Sequence, residues 1–154
     1  YLQPEIRTAL RGDYPLVMYM AFPFIGNERN LAAIMAAAYL QMTHTKLGSL
    51  KVRTVPNYGV DVDRLAKANI HDLKPLHRLP LDGGPDVWKD NVLPLVQAGS
   101  VARWIVDTYA KDPKKGVEML TKVARGATYE SVFGASIETI ERGWTQHLKT
   151  DVRL

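Results

Sequence analysis

Four histidines are present: His44, His71, His77 and His147. A helical zinc pair needs two histidines three or four residues apart, so that both imidazoles leave one face. None of the four is so spaced. His71 and His77 have Pro75 between them and read as surface imidazoles. The absence of cysteine removes a disulfide framework, a cysteine zinc site and a thiol nucleophile. The glutamates are Glu5, Glu28, Glu118, Glu130, Glu138 and Glu141, so the middle of the chain offers only aspartates as acids. Asp61 and Asp63 flank Val62 at a predicted helix start, where capping is their expected role. A paired-carboxylate acid/base site is allowed, but no spacing selects one. Gly99-Ser100 lacks the G-x-S-x-G frame of a nucleophile elbow and falls inside a predicted helix, where it reports packing. Gly83-Gly84 is not followed by a phosphate-loop pattern. No catalytic, cofactor-binding or metal residue is expected from these patterns, and no cofactor.

The elements that would position these groups read as mostly α. Short helices are expected over residues 4–10 and 61–68, and an apolar strand or extended segment over 16–25. A short strand is expected over 50–54, where Leu50, Val52 and Thr54 alternate with more polar neighbours. Residues 28 to about 46 form an Ala-rich helix. Its first reading is a core helix. Its second is a partner or lipid surface built from Leu31, Met35, Tyr39 and Met42. A helical turn is expected in 72–79, and residues 81–87, rich in Gly, Pro and Asp, form the clearest loop.

The second half, 88–154, reads as a small helical bundle. Pro94 opens a helix running to about Tyr109. Asp112-Pro113 caps and starts the next, with Val117, Leu120, Val123 and Ala124 inward. Gly126 stops it. Thr128 caps a very short helix ended by Gly134, and Ser136 caps the last. There Ile137, Ile140, Trp144 and Leu148 share one face. Trp104 is expected in the core as well. The whole is read as one domain of 154 residues, long enough to bury a core unaided.

Composition agrees with a globular protein: 46% of residues are hydrophobic and 23% charged, which excludes disordered and collagen-like chains. No apolar run reaches the length of a membrane span. A formal net charge of +4, evenly mixed, does not argue for nucleic acid. The chain begins at Tyr1, which prompts the expectation of a removed leader or of a longer parent chain, and no signal peptide is visible.

Residues 92–148 carry a recognisable order. A small-residue helix, Ala98-Gly99-Ser100-Val101-Ala102, leads to Asp107-Thr108-Tyr109. A Lys-rich helix and Ala124-Arg125-Gly126-Ala127-Thr128-Tyr129 follow. Then comes Gly134-Ala135-Ser136-Ile137-Glu138-Thr139-Ile140-Glu141-Arg142-Gly143-Trp144. This order resembles the helical C-terminal subdomain of gluzincin-type (peptidase MA-like) metallopeptidases. Upstream, Asp72-Leu73-Lys74-Pro75-Leu76 resembles that group's short Asp-Leu-x-x-Leu turn. The chain departs from the pattern around Val132-Phe133-Gly134, where the family has about one more helical turn, and at Ala110, where glycine is usual after the tyrosine.

The resemblance implies a helical subdomain, but the family's zinc chemistry has no residues here to rest on. Such enzymes bind zinc through His-Glu-x-x-His and a downstream glutamate, with the first glutamate as general base. The nearest shape, Leu40-Gln41-Met42-Thr43-His44, retains one histidine and replaces the base by glutamine. Three readings follow, in this order. The first is a non-catalytic metallopeptidase-like domain, a pseudoenzyme serving as an accessory or protein-binding subunit. The second is the C-terminal part of a zinc peptidase whose motif precedes Tyr1. The third is an unrelated helical adaptor. The expected partner is a protein or larger assembly, not nucleic acid, with membrane-surface contact as a further option. The resemblance and the non-Met start favour an extracytoplasmic location.

Overall fold

A computed structural model of the chain describes residues 27–42, 61–79 and 93–154. Six α-helices and no strand occur among the described residues. The helix expected over 4–10, the extended segment 16–25, the strand 50–54 and the loop 81–87 lie outside them.

Helix α1 (Asn27–Met42) is the central rod. Leu31 through Tyr39 are each no more than 4% exposed, so no side of this stretch meets water. All-round burial is the mark of a core helix. Five alanines among these residues let its neighbours come close, and it packs on α3 (Leu93–Ile105) and α4 (Pro113–Ala124). Arg29 at its start donates from Nε to the Ala124 carbonyl at 3.3 Å, serving an end of α4 that has run out of helical donors.

Helix α2 (Val62–Ala68) begins where the sequence places it, with the Asp61 carboxylate accepting from the Arg64 N–H at 3.2 Å. Two 3₁₀ turns follow, Ile70–Asp72 and Leu76–Arg78, on either side of Pro75. Proline has no N–H to give and sets its predecessor extended, so the expected turn of helix is split.

Helix α3 is buried from Pro94 to Ala102 and widens at its end into a π turn, Val106–Ala110. There the Lys111 N–H reaches back five residues to the Val106 carbonyl at 2.6 Å. Lys111 itself closes the turn in the left-handed region at φ 57°. In α4, Asp112 accepts from the Lys115 N–H at 2.9 Å, Pro113 takes the first position, and Val117, Leu120, Val123 and Ala124 face inward. Helix α5 (Tyr129–Phe133) runs between the Thr128 cap and left-handed Gly134. Helix α6 (Ile137–Thr150) starts at Ser136, whose hydroxyl accepts from the Thr139 N–H at 3.1 Å, and buries Ile140, Trp144 and Leu148. The helical bundle read from the second half is therefore present, with α1 from the first half as part of the same core.

Candidate functional site

The polar groups converge where α2, α3 and α6 meet. Val62 and Ala66 are the buried residues of α2, and Asp63 lies beside them in its first turn. One Asp63 oxygen accepts from the Ser100 hydroxyl at 2.7 Å. That hydroxyl in turn accepts from the Trp144 indole N–H at 2.9 Å, forming a relay across three helices. The other Asp63 oxygen faces two cation-forming groups, Arg103 Nε at 3.8 Å and His147 Nε2 at 3.7 Å. His147 Nδ1 lies 3.0 Å from Asp151, one turn along, and the imidazole stacks on the Trp104 ring at 4.9 Å between centroids. Arg103 also stands 3.9 Å from Asp107.

Two carboxylates of this cluster are shifted in opposite senses. Partial desolvation, reinforced by the nearby Asp63, raises Asp107 above the ordinary carboxylate range, against the opposing pull of Arg103 and His147. The bonds from His147 and Thr150 hold Asp151 below that range.

Ser100, His147 and Asp63 are the types of a nucleophilic triad, but their order in space is different. In a triad the base sits beside the serine hydroxyl. Here the hydroxyl is fully buried and bonded to the carboxylate and the indole, and the imidazole faces the far oxygen of that carboxylate. The arrangement fastens helices together. Among the described residues no three His, Asp or Glu side chains come together as a metal site. His71 and His77 are exposed on the two 3₁₀ turns.

The segment after α2 is fastened in the same way. Gln97, 1% exposed on α3, pairs its amide with both backbone groups of Lys74, accepting from the Lys74 N–H at 3.1 Å and donating to its carbonyl. Glu141 on α6 accepts from the Leu76 N–H at 2.7 Å. The Lys67 ammonium donates to the carbonyls of Lys149 and Val152, closing the C-terminal end of α6.

The residues expected to form a partner surface are placed elsewhere. Leu31, Met35 and Tyr39 are 2%, 0% and 4% exposed and belong to the main core. A partner would have to displace α3 and α4 to reach them, so they act here as packing residues; the Met42 side chain lies outside the described residues. Trp144 is in the core as expected. Trp104 is only half-buried, because its partner is an imidazole at the edge of the bundle rather than another apolar side chain. Asp61 caps as expected, whereas Asp63 is drawn to Ser100 instead. The pairing of His147 with Asp151 escaped notice in the sequence; its one local signal was a spacing of one helical turn.

Among the described residues no helix is long and apolar enough to cross a membrane. Compared with known proteins, the chain matches no protein family, no curated protein and no solved structure.

Proposed function

We propose that this chain is a non-catalytic, metallopeptidase-like module that works as an accessory or protein-binding subunit. One observation carries the reading. The separate pieces of sequence that resemble the gluzincin helical subdomain meet in space through their own motif residues. Trp144 bonds Ser100 of the small-residue helix, and Glu141, from the same Glu-x-x-Trp run, bonds the Leu76 N–H of the Asp-Leu-x-x-Leu turn. Order along the chain does not require these contacts, and they are consistent with a shared framework. Ser100, Gln97 and Glu141 of that framework are engaged in holding its helices and turns together, which suits a module that presents a surface.

The same contacts also suit the second reading, in which this framework supports a zinc site built from His-Glu-x-x-His elsewhere in the protein. The experiment that separates the two uses the full natural protein. Zinc is measured by elemental analysis after dialysis, hydrolysis of a fluorogenic peptide library is followed, and partners are identified by crosslinking in the native extract. The accessory reading expects substoichiometric zinc, no hydrolysis and a crosslinked protein partner. Close to one zinc per chain, with hydrolysis abolished by a chelator, overturns it.

A further inference from the structure

We propose that the outward face of α4 is a docking surface for an acidic protein segment. The proposal rests on the protein-binding reading above and assigns it a location. Helix α4 turns Val117, Leu120, Val123 and Ala124 inward, which leaves Lys114, Lys115, Glu118 and Lys122 exposed on the other side with Met119 half-buried among them. Exposed Lys111 and Arg125 flank the helix at its two ends. The face itself carries three lysines against two carboxylates, Asp112 and Glu118, and with its flanks five cations, in a chain whose overall net charge is only +4. Asp112 is already engaged, accepting the Lys115 N–H to cap the helix.

Shape adds to charge. A depression of about 400 Å³ opens on this face, lined by Asp112, Lys114, Lys115, Glu118, Met119 and Lys122. Met119 supplies an adaptable apolar lining amid ammonium groups. The complementary ligand carries carboxylates for the lysines and one apolar side chain for the depression, which is the chemistry of an acidic peptide segment. A flat anionic bilayer would leave the concavity unfilled and would meet Glu118. A single-stranded nucleic acid would look for aromatic platforms, and the described residues of the lining include none. Association through opposite charge is fast and sensitive to salt, in contrast to the burial of an apolar face.

The test uses a labelled peptide of alternating Glu and Leu, its Lys/Leu counterpart, and phosphatidylserine vesicles, each titrated against the parent and a Lys115→Glu/Lys122→Glu variant. Both substitutions lie on the exposed side of α4, so an unchanged denaturation midpoint establishes that the variant is folded. Saturable binding of the Glu/Leu peptide is expected. It should weaken by about tenfold or more on charge reversal, and likewise between roughly 0.05 M and 0.5 M salt. No binding, equal binding by the variant, or preference for the Lys/Leu peptide or the vesicles overturns the proposal. The two readings fail separately. If the full protein keeps its crosslinked partner when both lysines are reversed, this surface is refuted and the accessory role stands. Chelator-sensitive hydrolysis refutes the accessory role and, with it, the assignment of this surface to that role.

Discussion

The Trp144 indole donates its N–H to the Ser100 hydroxyl at 2.9 Å, and that hydroxyl donates its own O–H to Asp63 at 2.7 Å. Ser100 is thus the middle of the relay, fully buried, with a partner on each side. Ser100→Ala leaves a buried indole donor unpaired and takes one bond from Asp63. The expected loss is about 1–3 kcal/mol in urea unfolding. An unchanged midpoint would mean that the relay contributes nothing to stability.

Trp144→Ala removes the relay's donor together with the largest side chain of the α6 stripe. A buried tryptophan truncated to alanine costs about 3–5 kcal/mol. Trp144→Phe keeps an aromatic ring but loses the N–H and part of the indole volume, so it should fall well short of that loss. Equal midpoints for the two variants would show that packing is not the main term.

Gly116 on α4 passes close to the π turn. A Cβ there would stand 2.5 Å from Val106 Cγ2. Valine is stiff about χ1 and cannot swing clear. Gly116→Ala is expected to destabilise by about 1–3 kcal/mol through overpacking. Adding Val106→Ala should recover part of that loss, so that the double variant is more stable than the sum of the two changes predicts. Strict additivity would place the cost somewhere other than this contact.

The opposite shifts of Asp107 and Asp151 give opposite pH signatures. Asp151 is held low in the folded chain, so its stabilising effect is present above the unfolded carboxylate pKa and is lost as pH falls through the folded value. Asp107 is raised, so its ionisation opposes folding at neutral pH, and that penalty disappears once both states are protonated. At pH 7, Asp151→Asn should lower the urea midpoint and Asp107→Asn should leave it level or raise it. Both differences should close in acid, below the carboxylate range. Same-signed effects at pH 7 would contradict the assignment.

What could be read from the sequence was what local chemistry decides. Asp61, Asp112 with Pro113, Thr128 and Ser136 all cap helices where their spacing places them, because a cap and the N–H it serves lie within one turn. The stripe Ile140, Trp144 and Leu148 was legible for the same reason. Asp63 was not. Its neighbours favour capping, and the hydroxyl that captures it is 37 residues away. The bond from Leu76 to Glu141 spans 65 residues and was equally hidden, although both ends lay in recognised motifs. On α1, hydrophobic pattern alone could not tell a surface stripe from a helix enclosed on all sides, since alanine completes either face. The π turn had no sequence signal, and its left-handed closure falls on Lys111, one residue beyond the Ala110 that stands where the resemblance places glycine.

The fastening of α6 by Lys67 has a consequence for how the protein is made. The ammonium reaches carbonyls 82 and 85 residues further along the chain, at Lys149 and Val152. During synthesis the segment 61–79 therefore leaves the ribosome well before the groups of α6 that hold it have been translated. It can cap and turn locally in the interval and meet α3 through Ser100 and Gln97, but its contacts to α6 wait for that helix to emerge. The helices α4 to α6, joined by short connections, assemble with little loop-closure cost. A nascent chain stalled before residue 140 would present residues 61–79 without their α6 partners, and limited proteolysis of such stalled chains would detect the segment as cleavable until the last helix is complete.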